Sequence, residues 1–238
     1  MNISVIIPAF NEEKRLEACL KSVFDQTQPA DEVIVIDNAS TDKTAQIAER
    51  MGARVIVESS KGITFARNRG FESAKNEIIA RTDADTVVPR NWIETINQEF
   101  EKDPSLVALS GPAVFGISIF TPLLKIVVFE ANKKIFGHYG LYGPNLAIRK
   151  SAWEKIKNDT CSDDSKVHED TDLAIHMGKV GKVGFASELK VRTSARRLRQ
   201  SPSSQLVEYI VKWADMIAFH KEYRISTLAT SLKNKINN

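Results

Sequence analysis

Ile78-Ile79-Ala80-Arg81-Thr82-Asp83-Ala84-Asp85-Thr86-Val87-Val88-Pro89-Arg90-Asn91-Trp92 is the stretch from which the rest of the chain can be read. A short apolar run that climbs into two aspartates one residue apart and then breaks at a proline predicts a buried strand ending in a loop. Side chains of an extended chain alternate faces, so this reading puts Asp83 and Asp85 on one side, aimed at the same small volume. Two like charges held that close repel, and a hard divalent cation relieves the repulsion. The pattern suggests a metal-phosphate site, with Mn²⁺ or Mg²⁺ bridging the carboxylates to a diphosphate. A pair of turn-capping aspartates has the same spelling, so the weight falls on whether the remaining sequence converges on that site.

Upstream, strands and helices alternate. Ile3 to Pro8 reads as a strand, Glu12 to Phe24 as a helix with Leu16, Cys19, Leu20 and Val23 at helical spacing, and Glu32 to Asp37 as a second strand. Ser40-Thr41-Asp42 opens a helix that closes on Gly52, with a hydroxyl to cap it and Asp42 at the positive end of its dipole. Arg54 to Glu58, Thr64 to Ala74 and Ile78 to Thr82 complete the pattern. Repeated βα alternation predicts an α/β fold whose mostly parallel central sheet is flanked by helices.

Such sheets bind nucleotides at the carboxyl ends of their strands. No Gly-x-Gly-x-x-Gly follows the first strand, where the chain has Pro8-Ala9-Phe10-Asn11-Glu12, and no Gly-x-x-x-x-Gly-Lys-Ser/Thr occurs. Without a cradle of backbone amides, a diphosphate needs its charge neutralised otherwise, and the Asp83/Asp85 metal is the available means. Asp37 ends the second strand, where a carboxylate can accept from a base imide or a ribose hydroxyl, or form a simple Asx turn. Phe10 can lie against the base.

Composition sets the limits. A chain of 238 residues that is 42% hydrophobic can bury a substantial core. Cys19 and Cys161 lack metal-ligand spacing and read as free thiols of a reducing compartment. The N-terminal apolar run is only a strand long and meets Glu12-Glu13, unlike a signal or transit peptide, and no apolar run reaches the roughly eighteen residues of a membrane span. Together these predict a cytoplasmic protein. Net charge is +3, but from Lys190 onward there are ten Lys/Arg against three acids. A basic tail on an acidic body suggests anionic contacts, either ligand phosphates or the inner face of a membrane; nothing suggests a nucleic acid partner.

Four segments carry a family resemblance: Ile6-Ile7-Pro8-Ala9-Phe10-Asn11-Glu12-Glu13, Val33-Ile34-Val35-Ile36-Asp37-Asn38-Ala39-Ser40-Thr41-Asp42, Ala66-Arg67-Asn68-Arg69-Gly70 and Thr82-Asp83-Ala84-Asp85. In order and spacing they resemble the motifs of glycosyltransferase family 2, the inverting enzymes of GT-A fold, over roughly residues 1 to 195. The resemblance implies that Pro8, Phe10, Glu12 and Asp37 surround the nucleoside, that Arg67 stands near the nucleotide or diphosphate, and that Asp83-Ala84-Asp85 serves ribose and metal, with Asp85 the direct ligand. It further implies a catalytic domain over 1–195, split into a nucleotide-sugar half (1–110) and an acceptor half (111–195), followed by a basic, helical C-terminal extension (196–238). Asn38 departs from the pattern, since family members often carry a second aspartate there.

In the acceptor half, Gly143-Pro144-Asn145-Leu146-Ala147-Ile148-Arg149 is similar to the family's segment beside the donor sugar, although a turn before an edge strand would look the same. The family places its catalytic base in the pair Glu169-Asp170, at the acidic start of a helix; Asp170 is the expected base and Glu169 its neighbour, orienting the acceptor. An acidic cluster at a helix start also has a purely electrostatic explanation. Residues 158–166 read as a mobile loop. Arg196 and Arg197 can clamp the donor's phosphates. Relatives often add a histidine ligand near here, which this chain lacks between His176 and His220.

Residues 121–136 and 205–219 are apolar with basic flanks, which suggests packing on the core, on a second subunit as a homodimer, or on a membrane surface with a polyprenyl-linked acceptor. The expected function is a metal-dependent inverting transfer from a UDP- or GDP-linked sugar to a glycan or polyprenyl-linked acceptor. A nucleotidyltransferase also uses paired aspartates on a metal, but it wants a phosphate loop rich in glycine and basic residues where this chain has Asn11-Glu12-Glu13. A non-catalytic nucleotide-sugar binder would not need acids at 83, 85, 169 and 170.

Overall fold

β-branched residues dominate the first strand, β1 (Ile3–Ala9), and every residue of it is buried, as a central parallel strand covered on both faces requires. The computed structural model describes residues 1–115, 132–164 and 167–196. From the N-terminus, α1 (Leu16–Phe24), β2 (Glu32–Asp37), α2 (Thr44–Arg50), β3 (Arg54–Val57), α3 (Ile63–Ser73) and β4 (Ile78–Arg81) follow the predicted alternation. Then come β5 (Thr86–Val87), α4 (Trp92–Lys102), β6 (Leu106–Ser110), β7 (Ala113–Phe115), α5 (Asn132–Phe136), β8 (Leu146–Arg149), α6 (Lys150–Ile156), α7 (Glu169–Val180), β9 (Lys182–Phe185) and β10 (Val191–Thr193).

The main sheet has seven strands in the order β3-β2-β1-β4-β8-β6-β9. All neighbours are parallel except β8, which runs antiparallel between β4 and β6. Residues 143–149 therefore lead into an interior strand, not an edge strand. Because β8 is reversed, its entry at Leu146 lies at the same end of the sheet as the exits of β1, β2, β4 and β6. Loops from both halves of the chain meet there.

Alternation along β1 divides the core. Ile3, Val5 and Ile7 join Leu16, Leu20, Val35 and Trp92 on one face. Ile6 joins Ile34, Ile36, Phe71, Ile79, Trp153 and Leu173 on the other. Gly70 lets α3 lie against β1, since a Cβ there would collide with Ile6 Cγ2.

Three expectations change. The first helix starts at Leu16 rather than Glu12, because Asn11 takes a left-handed φ of 53° and residues 12–15 form a turn with Arg15 N–H on Glu12 O at 2.9 Å. In the second, Asp42 is the capping group: its carboxylate accepts from Thr44 N–H at 2.9 Å, and the helix opens at Thr44. Last, Asp83 and Asp85 are not carried by an extended chain. Pairing of β4 ends at Arg81, and Thr86 N–H donates to Asp83 O at 3.0 Å to close a turn over residues 83–86. The chain turns there to enter a second sheet of order β5-β10-β7, which short-range periodicity in the sequence did not signal.

Candidate functional site

Where β1 and β2 end side by side, Pro8 pairs with Ile36 and Ala9 with Asp37. Asp37 is buried, and its Oδ1 accepts from Ser40 N–H at 3.3 Å, so the Asx-type turn is present. Asn11 Oδ1 accepts from Thr41 N–H at 2.8 Å, while Ser40 Oγ accepts from Asn11 N–H at 3.0 Å; these bonds tie the two loops together. Phe10 is 48% exposed, with Lys61 Nζ 5.6 Å from its ring centroid, and is open to stacking. Asn38 fastens the neighbouring loop. Its amide donates to Glu58 O at 3.1 Å and Ser60 O at 2.7 Å, and its Oδ1 accepts from Gly62 N–H at 2.9 Å. An aspartate at this position could not donate either bond.

On the same loop as Asn11, Glu12 is buried with its carboxylate between Arg15, at 3.4 Å, and Arg196. Arg196 thus brings the chain beyond β10 back onto the loop after β1. Arg197 and the segment 205–219 lie outside the described residues, as does 116–131.

At the exit of β4, Ala84 is buried while Asp83 and Asp85 are partly exposed on either side of it. Asp83 Oδ1 is 3.2 Å from Arg81 Nη2, and Asp85 Oδ1 accepts from Thr193 Oγ1 at 3.5 Å. Thr193 Oγ1 in turn accepts from Thr86 Oγ1 at 3.0 Å. The buried thiol of Cys19 lies under the turn and donates to Asp83 O at 3.4 Å; burial, reinforced by Asp83 and Asp85, pushes its pKa up, so it stays protonated. Two partly exposed carboxylates suit a hard divalent cation such as Mn²⁺ or Mg²⁺. Among the described residues no group of three or more His, Cys, Asp or Glu is placed to hold a metal, so a bound ion would need oxygens from a ligand or water.

The acids that open α7 sit differently. Both Glu169 oxygens are taken by arginines: Oε1 by Arg81 Nη1 at 2.5 Å and Oε2 by Arg67 Nη1 at 2.8 Å. Arg67 is fully buried over Trp153 and also donates to Glu169 O at 2.7 Å and to Asn68 Oδ1 through Nε and Nη2. It faces Glu169, not an open phosphate position. Burial alone would raise the Glu169 pKa, but the two guanidinium charges outweigh it and hold the carboxyl below its usual range. Asp170 moves the other way. Burial and then the charge of Glu169 push it above the usual carboxylate range, against the smaller pull of His168, Gly143 N–H and Arg81. Gly143 N–H reaches Asp170 Oδ2 at 3.2 Å, and a Cβ on Gly143 would stand 2.8 Å from Arg81 Nη2, so any larger residue there would push the guanidinium aside.

Asn145 is fully buried. Its amide donates to Leu189 O at 2.5 Å and Pro112 O at 3.3 Å, and its Oδ1 accepts from Trp92 Nε1 at 2.9 Å. It locks the entry of β8 to the loops beside it, with no polar atom left for a sugar. The 158–166 loop is fastened as far as described: Asp172 Oδ2 accepts Cys161 N–H at 2.9 Å, and Asp164 accepts the Thr64 hydroxyl and its N–H, the latter at 3.2 Å, at the start of α3. Arg81 and Thr193 are the site residues that sequence reasoning missed. Arg81 did carry a signal, being a charge at the end of an otherwise apolar strand, two residues before Asp83.

The mostly parallel α/β sheet flanked by helices, with β8 reversed within it, is a GT-A fold, as solved structures show. Residues 1–349 of S. aureus TarS in complex with UDP-GlcNAc superpose with a TM-score of 0.65 at 22% identity, over 82% of this chain and 58% of that one. The mannosyltransferase PcManGT of Pyrobaculum calidifontis, with GDP-Man and Mn²⁺, gives 0.70 at 22%, over 91% and 64%. The profile of Glycosyl transferase family 2 matches residues 4–156, and the chain belongs to that family. The glycosyltransferase GlyG of Streptococcus pneumoniae is 36% identical over 112 residues, 44% of this chain and 37% of its own. The chain spans about a third of the length of the curated relatives it matches.

Proposed function

We propose that this chain is a metal-dependent, inverting glycosyltransferase that moves a sugar from a UDP- or GDP-linked donor to a hydroxyl on a glycan or polyprenyl-linked acceptor. The observation that carries this reading is the geometry of Glu169 and Asp170 at the start of α7: Glu169 has both oxygens held by Arg67 and Arg81, while Asp170 beside it takes Gly143 N–H on Oδ2. Burial and the charge of Glu169 raise the proton affinity of Asp170, which suits a base. Family membership and the sugar nucleotides and Mn²⁺ named for the neighbouring structures support the donor class.

Inverting transfer is one in-line displacement at the anomeric carbon. Asp170 takes the acceptor hydroxyl's proton as its oxygen attacks, and Gly143 N–H keeps the other side of the carboxylate directed. Asp83 and Asp85 would hold the cation, which when bound neutralises the departing diphosphate. Phe10 supports the base by stacking, Asp37 accepts from the nucleoside, and Arg196 balances Glu12 beside it. Contact with an anionic membrane, and pairing with a second copy, rest on the basic extension 196–238 and the apolar stretches 121–136 and 205–219; co-sedimentation with anionic vesicles at low salt tests the first, and the mass in solution by sedimentation tests the second.

Asp170→Asn tests the central assignment. It should abolish sugar transfer while leaving nucleoside diphosphate affinity in the presence of Mn²⁺ nearly intact. Retention of most of the turnover would remove Asp170 from its role.

A further inference from the structure

Arg81 is buried at the end of a strand, yet the sequence motifs that frame the site do not include it. Its Nη2 is 3.2 Å from Asp83 Oδ1 and its Nη1 is 2.5 Å from Glu169 Oε1. It therefore touches both acidic pairs, one on the loop after β4 and the other at the start of α7. Its third neighbour is Gly143, which would carry a Cβ only 2.8 Å from Nη2 and whose N–H holds Asp170. An arginine whose two terminal nitrogens each meet a carboxylate from a different half of the chain ties those halves at a fixed separation.

We propose that Arg81 is a positioning residue that sets the distance between the donor-side turn, Asp83 to Asp85, and the base-side segment, Gly143 with Glu169 and Asp170. The inference rests on the functional reading above. In-line displacement needs the leaving group and the attacking hydroxyl on opposite sides of one carbon, so the groups that serve each must be kept in fixed register; a displacement near 1 Å is enough to lose about 100-fold in rate. A rigid, planar guanidinium with two separate carboxylate contacts does this better than the single ammonium of lysine.

The experiment separates positioning from mere charge balance. Arg81→Lys keeps the buried positive charge but not the planar fork, and Arg81→Met removes both while leaving Glu169 paired with Arg67. Transfer rates with a UDP- or GDP-sugar, thermal midpoints and amide hydrogen exchange are measured for wild type and both variants. Expected is an Arg81→Lys variant whose midpoint stays near wild type, whose kcat is lower by about 100-fold with a smaller change in donor KM, and whose amides at Thr86 and Gly143 both exchange faster while β1 and β4 stay protected. Arg81→Met should lose at least as much rate and more stability. If Arg81→Lys keeps most of the turnover, or if exchange at Thr86 and Gly143 is unchanged, the proposal fails. A wild-type protein that transfers no sugar from any nucleotide donor would overturn the functional reading instead, and the exchange data would still decide the role of Arg81.

Discussion

The acids at the exit of β4 and the acids at the start of α7 are both close pairs, yet they differ in what surrounds them. Asp83 and Asp85 ride a turn and are partly exposed, Asp83 at 3.2 Å from Arg81 and Asp85 at 3.5 Å from Thr193. Glu169 and Asp170 sit against a buried frame of Arg67, Arg81 and Gly143. A carboxylate that is to take up a ligand ion has to keep water and coordination positions available. One that is to hold a catalytic geometry has to give them up to fixed partners. The same residue types, two to a cluster, are therefore used for opposite ends, and the difference lies in their neighbours.

The comparison can be broken first at Asp170. Replacing it with asparagine should lower kcat by about 1,000-fold, in the range of a lost general base, with donor affinity kept; steady-state kinetics beside calorimetric titration of the nucleoside diphosphate would show it. Glu169→Gln comes next. Two buried guanidinium groups would lose their counter-charge, and chemical denaturation should report a loss of about 3 kcal/mol. The corresponding Asp83→Asn change, at a partly exposed position, should cost far less stability, and equal losses would erase the contrast.

On the ligand side, Asp85→Ala should weaken Mn²⁺-dependent binding of a nucleoside diphosphate roughly tenfold or more, and excess chelator should remove the thermal shift that this ligand gives. Equal binding with and without chelator would take the metal out of the site. Phe10→Ala should cost the nucleotide about 1 to 2 kcal/mol of stacking, read as a raised Kd with kcat little changed.

The smallest effect is in the pH dependence of stability. Asp170 has a folded pKa raised above the ordinary 3.8, so its favourable contribution is present in full below pH 3.8 and is lost as pH rises through the folded value. Asp170→Asn should therefore gain stability on wild type as pH rises through that window and show no gain below it. Glu169 has the reverse sign. Its pKa is depressed below 4.5, so its stabilisation is present above pH 4.5 and disappears as pH falls through the folded value. Denaturation midpoints followed from acid to neutral pH would check both signs.

Particular residues show how far the sequence reaches. The β-branched runs at 3–8 and 32–37, and the helical spacing of Leu16, Cys19, Leu20 and Val23, made the parallel sheet and its first covering helix legible, because burial on two faces or on one stripe leaves a periodic trace. The acids at 37, 83 and 85 stood out because they lie where strands of such a sheet end, whereas those at 169 and 170, at a helix start, stood out only through the family resemblance. What Arg67 and Asn145 touch was not legible. Both look like ligand-binding groups in sequence, and both spend their polar atoms on the protein itself, across separations of 102 residues to Glu169 and 53 to Trp92.

The order of residues by itself determined the alternation of elements, the absence of a glycine cradle and the presence of the two acidic pairs, since each of these is a local property of chain propensity and chemistry. Only the tertiary structure decided which acid is locked and which has its proton affinity raised, that the Asp83 to Asp85 segment turns rather than extends, and that Arg81 bridges the two pairs. Ionisation and reach depend on burial and on charges brought together from distant segments, and no local pattern encodes a distance between residues that meet only when the sheet has formed.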